Sequence, residues 1–146
     1  MQVDIKIDAG ATIPYALIVT SSITAEVEQA VRRLNDMGEG RLPGYREGEV
    51  LLLTAKDIWR VYTEGQKIMA EGREGKVQLH GRLYEWEERL VPDGFFRISH
   101  SEVVNLQAVK SLDLSLAGTV GLKFKSGGST FVSRRYVDKL KKRLGL

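Results

Sequence analysis

From Val50 to Val132 the chain repeats one pattern, short runs with apolar residues at every second position, parted by glycine-bearing turns. Val120, Leu122 and Phe124 alternate with Gly121, Lys123 and Lys125. Phe96 and Ile98 alternate with Arg97 and Ser99, and Leu112, Leu114 and Leu116 alternate with Ser111, Asp113 and Ser115. A period of two sends apolar side chains to one face of a strand and polar ones to the other. Strands are therefore predicted at 50–53, 58–63, 67–70 and 76–79, with Glu64-Gly65-Gln66 and the stretch from Glu71 to Gly75 as hairpin turns. Further strands are predicted around Phe96 and Ile98, at Val103-Val104, over 111–116 and 120–125, and, behind the Gly127-Gly128 turn, over 130–132.

Two helices interrupt this series. Leu83, Trp86 and Leu90 fall at i, i+3 and i+7 and predict a short amphipathic helix, ended by Pro92-Asp93-Gly94. Ser133 is placed to cap a last helix whose apolar stripe is Tyr136, Val137, Leu140 and Leu144. Ahead of the junction Leu42-Pro43-Gly44-Tyr45, the alternation of Val3, Ile5 and Ile7 predicts one strand and residues 16–20 a second. Ile23, Val27, Ala30, Val31 and Leu34 then share one face of a helix, with Thr24 as its cap and Gly38 and Gly40 to stop it. The expected fold class is mainly β within α+β. Residues 43–146 form an antiparallel β domain with short helices, and residues 1–42 a small β-β-α extension. So short an extension buries too little alone, so it is expected to dock on the rest or to mediate dimerisation.

Composition narrows the function. The chain has no cysteine, so disulfides and thiolate sites are excluded, and only two histidines, His80 and His100. No HExxH, P-loop or GxSxG pattern occurs, so neither an enzyme nor a metal or cofactor site is expected. No apolar run is long enough to span a bilayer, and the expected setting is the cytoplasm. The net charge of +3 is unevenly spread. Residues 97–146 hold ten Lys/Arg against three Asp/Glu, whereas residues 1–96 are net acidic. A basic third of this kind suits a phosphate-bearing partner, and Lys125 is its candidate phosphate contact.

Within that basic third, Ser99-His100-Ser101 falls between two strand runs, where imidazole and hydroxyls can donate to phosphates or base edges. Arg134 and Arg135 follow the cap Ser133, and Arg135 brings a guanidinium to the first turn of a helix whose N–H groups also favour phosphate. Asn105, directly after Val103-Val104, reads as a structural amide that satisfies a turn.

The segment Phe96-Arg97-Ile98-Ser99-His100-Ser101-Glu102-Val103-Val104-Asn105-Leu106, with Ser133-Arg134-Arg135-Tyr136 downstream, resembles the LytTR family of bacterial DNA-binding domains. Ala55-Lys56-Asp57-Ile58 and the stretch from Leu83 to Leu90 are similar to two further family segments, so the resemblance covers roughly residues 45–146. It implies a sequence-specific transcriptional regulator that meets the grooves of double-stranded DNA through loops and strand ends, often as two domains on repeated half-sites. It assigns contacts to His100 and Arg135, and a third to the loop at Glu64-Gly65-Gln66-Lys67, where Lys67 is the candidate. Many members follow a phosphoacceptor receiver domain; residues 1–42 are too short for one, so the resemblance is to a short form working as a homodimer. The alternative on the same fold is a protein-interaction or ligand-sensing module that does not bind DNA.

Overall fold

The computed structural model describes residues 1–12, 14–35 and 40–146, and the chain divides into two compact units, 1–37 and 38–146. In the second unit ten strands follow one another: β1 (Leu42–Arg46), β2 (Glu49–Leu53), β3 (Ile58–Glu64), β4 (Lys67–Gly72), β5 (Gly75–Leu79), β6 (Phe95–Ser99), β7 (Glu102–Asn105), β8 (Val109–Asp113), β9 (Val120–Phe124) and β10 (Ser129–Val132). All pairings are antiparallel. They build a seven-stranded sheet in the order β2-β1-β5-β4-β3-β7-β6 and a three-stranded sheet in the order β10-β9-β8. Helix α2 (Leu83–Leu90) precedes β6 and α3 (Arg134–Leu144) follows β10. The expected fold, antiparallel β with short helices, is the one observed.

Two apolar cores hold this unit. One gathers Ile58, Val61, Ile68, Val77, Leu79 and Val103 under Leu83, Trp86 and Leu90 of α2. The other gathers Ile98, Val104, Val120, Leu122, Phe124 and Val132 under Leu140 of α3. The neighbours Val103 and Val104 belong to different cores because successive side chains of a strand point to opposite faces. Every residue of β7 is buried, which makes β6–β7 the partition between the two cores.

Local chemistry explains the main departures from the sequence pattern. Leu42-Pro43-Gly44-Tyr45, read as a junction, is strand β1, in register with β2 from Leu42↔Leu53 to Arg46↔Glu49. Gly44 permits it: a Cβ there would come within 2.9 Å of Val77 Cγ2 on β5. The strand expected over 111–116 lies earlier, at Val109–Asp113. Asp113 Oδ1 accepts hydrogen bonds from the Ser115 N–H (2.9 Å) and Oγ (2.6 Å), and this local turn diverts the chain before Leu114 and Leu116 can join the ladder. Those hydrogen bonds also hold the Asp113 carboxyl below its ordinary pKa.

In the first unit only the helix of the expected β-β-α arrangement forms. Helix α1 (Ala25–Asn35) begins where Thr24 Oγ1 accepts the Val27 N–H at 3.3 Å. No strand occurs among the described residues of 1–37, and Val3, Ile5 and Ile7 are 83, 91 and 93% exposed. Period-two alternation makes a strand only where a neighbour supplies the ladder, and none of the described segments of this unit pairs with another. Gly38, expected to stop the helix, lies outside the described residues.

Asn105 has the structural role expected of it. Its side chain is buried, donates from Nδ2 to the Ile58 carbonyl (3.1 Å) and accepts the Gln107 N–H on Oδ1 (3.0 Å). Asn105→Ala strands a buried carbonyl and a turn amide and is expected to cost about 1–3 kcal/mol. A urea melt read by far-UV circular dichroism checks this; an unchanged midpoint would contradict it.

Candidate functional site

The turn between β6 and β7 is built by its own polar groups. Ser99 Oγ accepts the Ser101 N–H at 3.2 Å and lies 3.4 Å from Ser101 Oγ, so the two hydroxyls brace the loop that carries His100. Arg97 reaches round the same loop. Its Nε donates to the Ser99 carbonyl (2.7 Å), its Nη2 to the His100 carbonyl (2.5 Å), and its Nη1 pairs with Glu87 of α2 at 3.1 Å. With three carbonyl and carboxylate acceptors around it, this guanidinium is committed to positioning. The His100 ring is left exposed at the tip.

Two other elements are fastened to this hairpin. The Thr63 N–H donates to the Ser101 carbonyl at 3.0 Å, which sets the end of β3 level with the turn. The β3–β4 hairpin then projects beyond it, with Gly65 in the left-handed region (φ 62°) and Glu64 opposite Lys67. Lys67 thus opens β4, two strand spacings (~10 Å) across the sheet from β7. On the other side, the Ser133 N–H (2.9 Å) and Oγ (3.3 Å) both donate to the Ile98 carbonyl, two residues before His100. Ser133 is the cap residue of α3 as expected, but its hydroxyl holds the helix start onto β6.

Three of the expected contacts therefore converge: His100, Lys67 and Arg135 stand at one end of the second unit, on three elements tied by backbone hydrogen bonds. All three are exposed, and among the described residues no hydrogen bond, ion pair or ring contact engages their side chains. Arg134 is exposed too, but its guanidinium lies over Gly118, where a Cβ would meet Nε at 2.7 Å. Lys125 is not part of the group. Its N–H donates to the Ala108 carbonyl at 2.8 Å, beside the far end of β7, about 13 Å of strand from the His100 turn. Gln66, exposed at the hairpin tip next to Lys67, is a residue the sequence pattern did not single out.

A half-buried ion cluster stiffens the ladder behind these groups. Arg60 on β3 pairs with Glu71 (3.1 Å) and Glu102 (3.2 Å) and stacks on the Tyr62 ring at 4.2 Å. Burial works against its charge, yet the hydrogen bond to Glu71 and the Glu102 carboxylate hold its pKa above the ordinary arginine value. The other Glu102 oxygen accepts from Thr130 Oγ1 of β10 at 2.8 Å, so one carboxylate links both sheets. Among the described residues no group of three or more His, Asp or Glu is placed to hold a metal ion, and no helix is long and apolar enough to cross a membrane.

Comparison with known proteins supplies the family and the fold. The model of the LytTr DNA-binding domain family matches residues 48–145, about two thirds of the chain. An uncharacterised HTH-type transcriptional regulator of Staphylococcus aureus strain bovine RF122 is 31% identical over 147 residues, covering all of this chain and 99% of that protein. A counterpart from strain NCTC 8325 is 30% identical with the same coverage. Among solved structures, a LytTr DNA-binding domain from Bacillus cereus superposes with a TM-score of 0.70 at 20% identity, covering 74% of this chain and 99% of that one. The helix-turn-helix in the relatives' names has no counterpart in residues 40–146, where five strands separate α2 from α3.

Because Arg97 positions the turn, Arg97→Ala is expected to speed hydrogen exchange of the Ser101 amide and to cost about 1–3 kcal/mol of stability. Exchange measured by NMR, with a parallel denaturant melt, checks this. A Ser101 amide as protected as in the parent would contradict the bracing role.

Proposed function

Since the chain belongs to the LytTR family of DNA-binding domains, we propose that it is a sequence-specific transcriptional regulator that reads duplex DNA with the end of the second unit bearing His100, Lys67 and Arg135. What carries this reading is the contrast among cations at that end. Arg97 and Arg60 are committed to acceptors inside the protein, whereas Lys67 and Arg135 are exposed with their donors uncommitted. An exposed, uncommitted guanidinium on a firmly held helix start can fork onto guanine O6 and N7. The first N–H groups of α3 favour a nearby phosphate. Imidazole at the tip of a braced turn can donate to a base acceptor or a backbone oxygen. Ser99 and Ser101 serve chiefly to hold His100, and Arg134 flanks the contact.

Lys125 belongs to a different part of this reading. Exposed in the turn between β9 and β10, it adds to the positive field of residues 97–146 and meets phosphates if the duplex extends that far. Acting on chromosomal DNA, the protein works in the cytoplasm, with two copies on repeated half-sites. LytTR domain proteins are DNA-binding regulators and not enzymes, and nothing in this site asks for a cofactor.

The test is a fluorescence-anisotropy titration against the duplex upstream of the protein's own gene, at two salt concentrations. Arg135→Ala is expected to lose about 1–3 kcal/mol at its base pair and to relax specificity there. Lys125→Ala is expected to weaken binding to all sequences alike and to flatten the salt slope by about one. Unchanged affinity in Arg135→Ala, His100→Ala and Lys67→Ala together would overturn the assignment of this face and favour a protein-interaction module.

A further inference from the structure

The first unit carries a conspicuous excess of uncovered apolar surface. No residue of α1 is buried. Its stripe is Val27 and Ala30, both half-buried, and Leu34 (42% exposed); Ile23 (79% exposed) stands just ahead of the Thr24 cap, and the extended stretch before it exposes Val3, Ile5 and Ile7 almost fully. A helix of 11 residues is marginal in water unless its apolar face is packed. With Ile23 leading in, the apolar residues recur at steps of four, three and four, and within the helix at three and four, the spacing of a helix–helix seam.

The charges beside the stripe identify what covers it. Helix α1 has Glu26 and Glu28 in its first turn and Arg32 and Arg33 in its last. Two copies packed antiparallel align Ile23 with Leu34 and Val27 with Ala30 in each direction. The same alignment brings Glu26 of each copy beside Arg33 of the other, giving two attractive pairs related by a two-fold axis, as a self-complementary interface requires. A parallel pairing would instead set Glu26 against Val31. The extended stretch is self-complementary in the same sense. An antiparallel pairing centred on Ile5 sets Val3 opposite Ile7 and Asp4 opposite Lys6, and the second copy supplies the ladder partner the first lacks. The ammonium of Met1 touches Glu26 Oε1 at 3.1 Å; this exposed pair is weak and leaves the second carboxylate oxygen to a new partner.

We propose that the first unit is a homodimerisation element in which α1 packs antiparallel against α1 of a second copy, its polarity fixed by reciprocal Glu26–Arg33 pairs. This stands apart from the DNA reading: a chain that dimerises this way without binding DNA would sink that reading and leave this one intact.

The test is sedimentation velocity on the full chain, with heterodimers followed by fluorescence energy transfer between differently labelled variants. The parent is expected to be a dimer. Glu26→Arg and Arg33→Glu should each weaken self-association about tenfold or more, since each turns both attractive pairs repulsive. An equimolar mixture of the two variants should recover a heterodimer. One copy then carries arginine at both positions and the other glutamate at both, so both pairs become attractive again. Recovery on mixing also shows that neither variant had merely unfolded. A monomeric parent, charge reversals without effect, or no heterodimer on mixing would each overturn the proposal, the last two pointing to a cover other than α1 of a second copy.

Discussion

Strand β7 is buried on both faces, and the second unit is organised around that fact. Val103 looks into the core beneath α2 and Val104 into the core beneath α3. Glu102 and Asn105, at its two ends, are the buried polar residues among those described. A polar group in such a place must be satisfied or it costs more than it contributes. Glu102 answers by joining Arg60 of β3 and Thr130 of β10, and Asn105 by holding Ile58 and Gln107. The Glu102 carboxylate thus ties β7 of the seven-stranded sheet to β10 of the three-stranded one.

The candidate DNA-binding end inherits its rigidity from this tie. The carbonyls of Ile98 and Ser101, at the mouth of the β6–β7 turn, receive the start of α3 and the end of β3. Side chains on a loop, a hairpin tip and a helix start would ordinarily wander. Here the three backbones are fixed to one another before any partner arrives, so little ordering entropy is left to oppose binding. The serines and Arg97 are spent inside the protein, and His100, Lys67 and Arg135 face outward. That division of labour separates this end from the rest of the basic surface, to which the proposed function assigns phosphate attraction without sequence reading.

Much of this was legible in the residues themselves. Period-two runs and glycine turns located most strands, because a one-faced strand leaves that signature wherever a neighbour completes the ladder. The pattern failed where its physical premise failed. Val3, Ile5 and Ile7 alternate as a strand should but have no partner among the described residues of their unit. Asp113 ends β8 early through hydrogen bonds to Ser115, and no periodicity reports these. Strand β1 was hidden by Pro43 and Gly44, usually punctuation; here Gly44 lets the backbone pass close to Val77. At the candidate site, residue types and motif proposed His100, Arg135 and Lys125 alike, and reported neither that Lys125 lies at the other end of the strands nor that Arg97 braces the turn. Both depend on distances that only the folded chain has.

The central claim is that one end of the second unit, held by the β6–β7 hairpin, is the face that meets DNA. A backbone amide NMR titration of the full chain with the duplex upstream of its gene tests it most directly. The account predicts that the largest shift changes fall at residues 63–67, 99–101 and 133–136, with residues 123–127 changing less and losing their response first as salt is raised. Changes centred on residues 123–127, or spread evenly over the basic surface with the His100 turn unmoved, would contradict it.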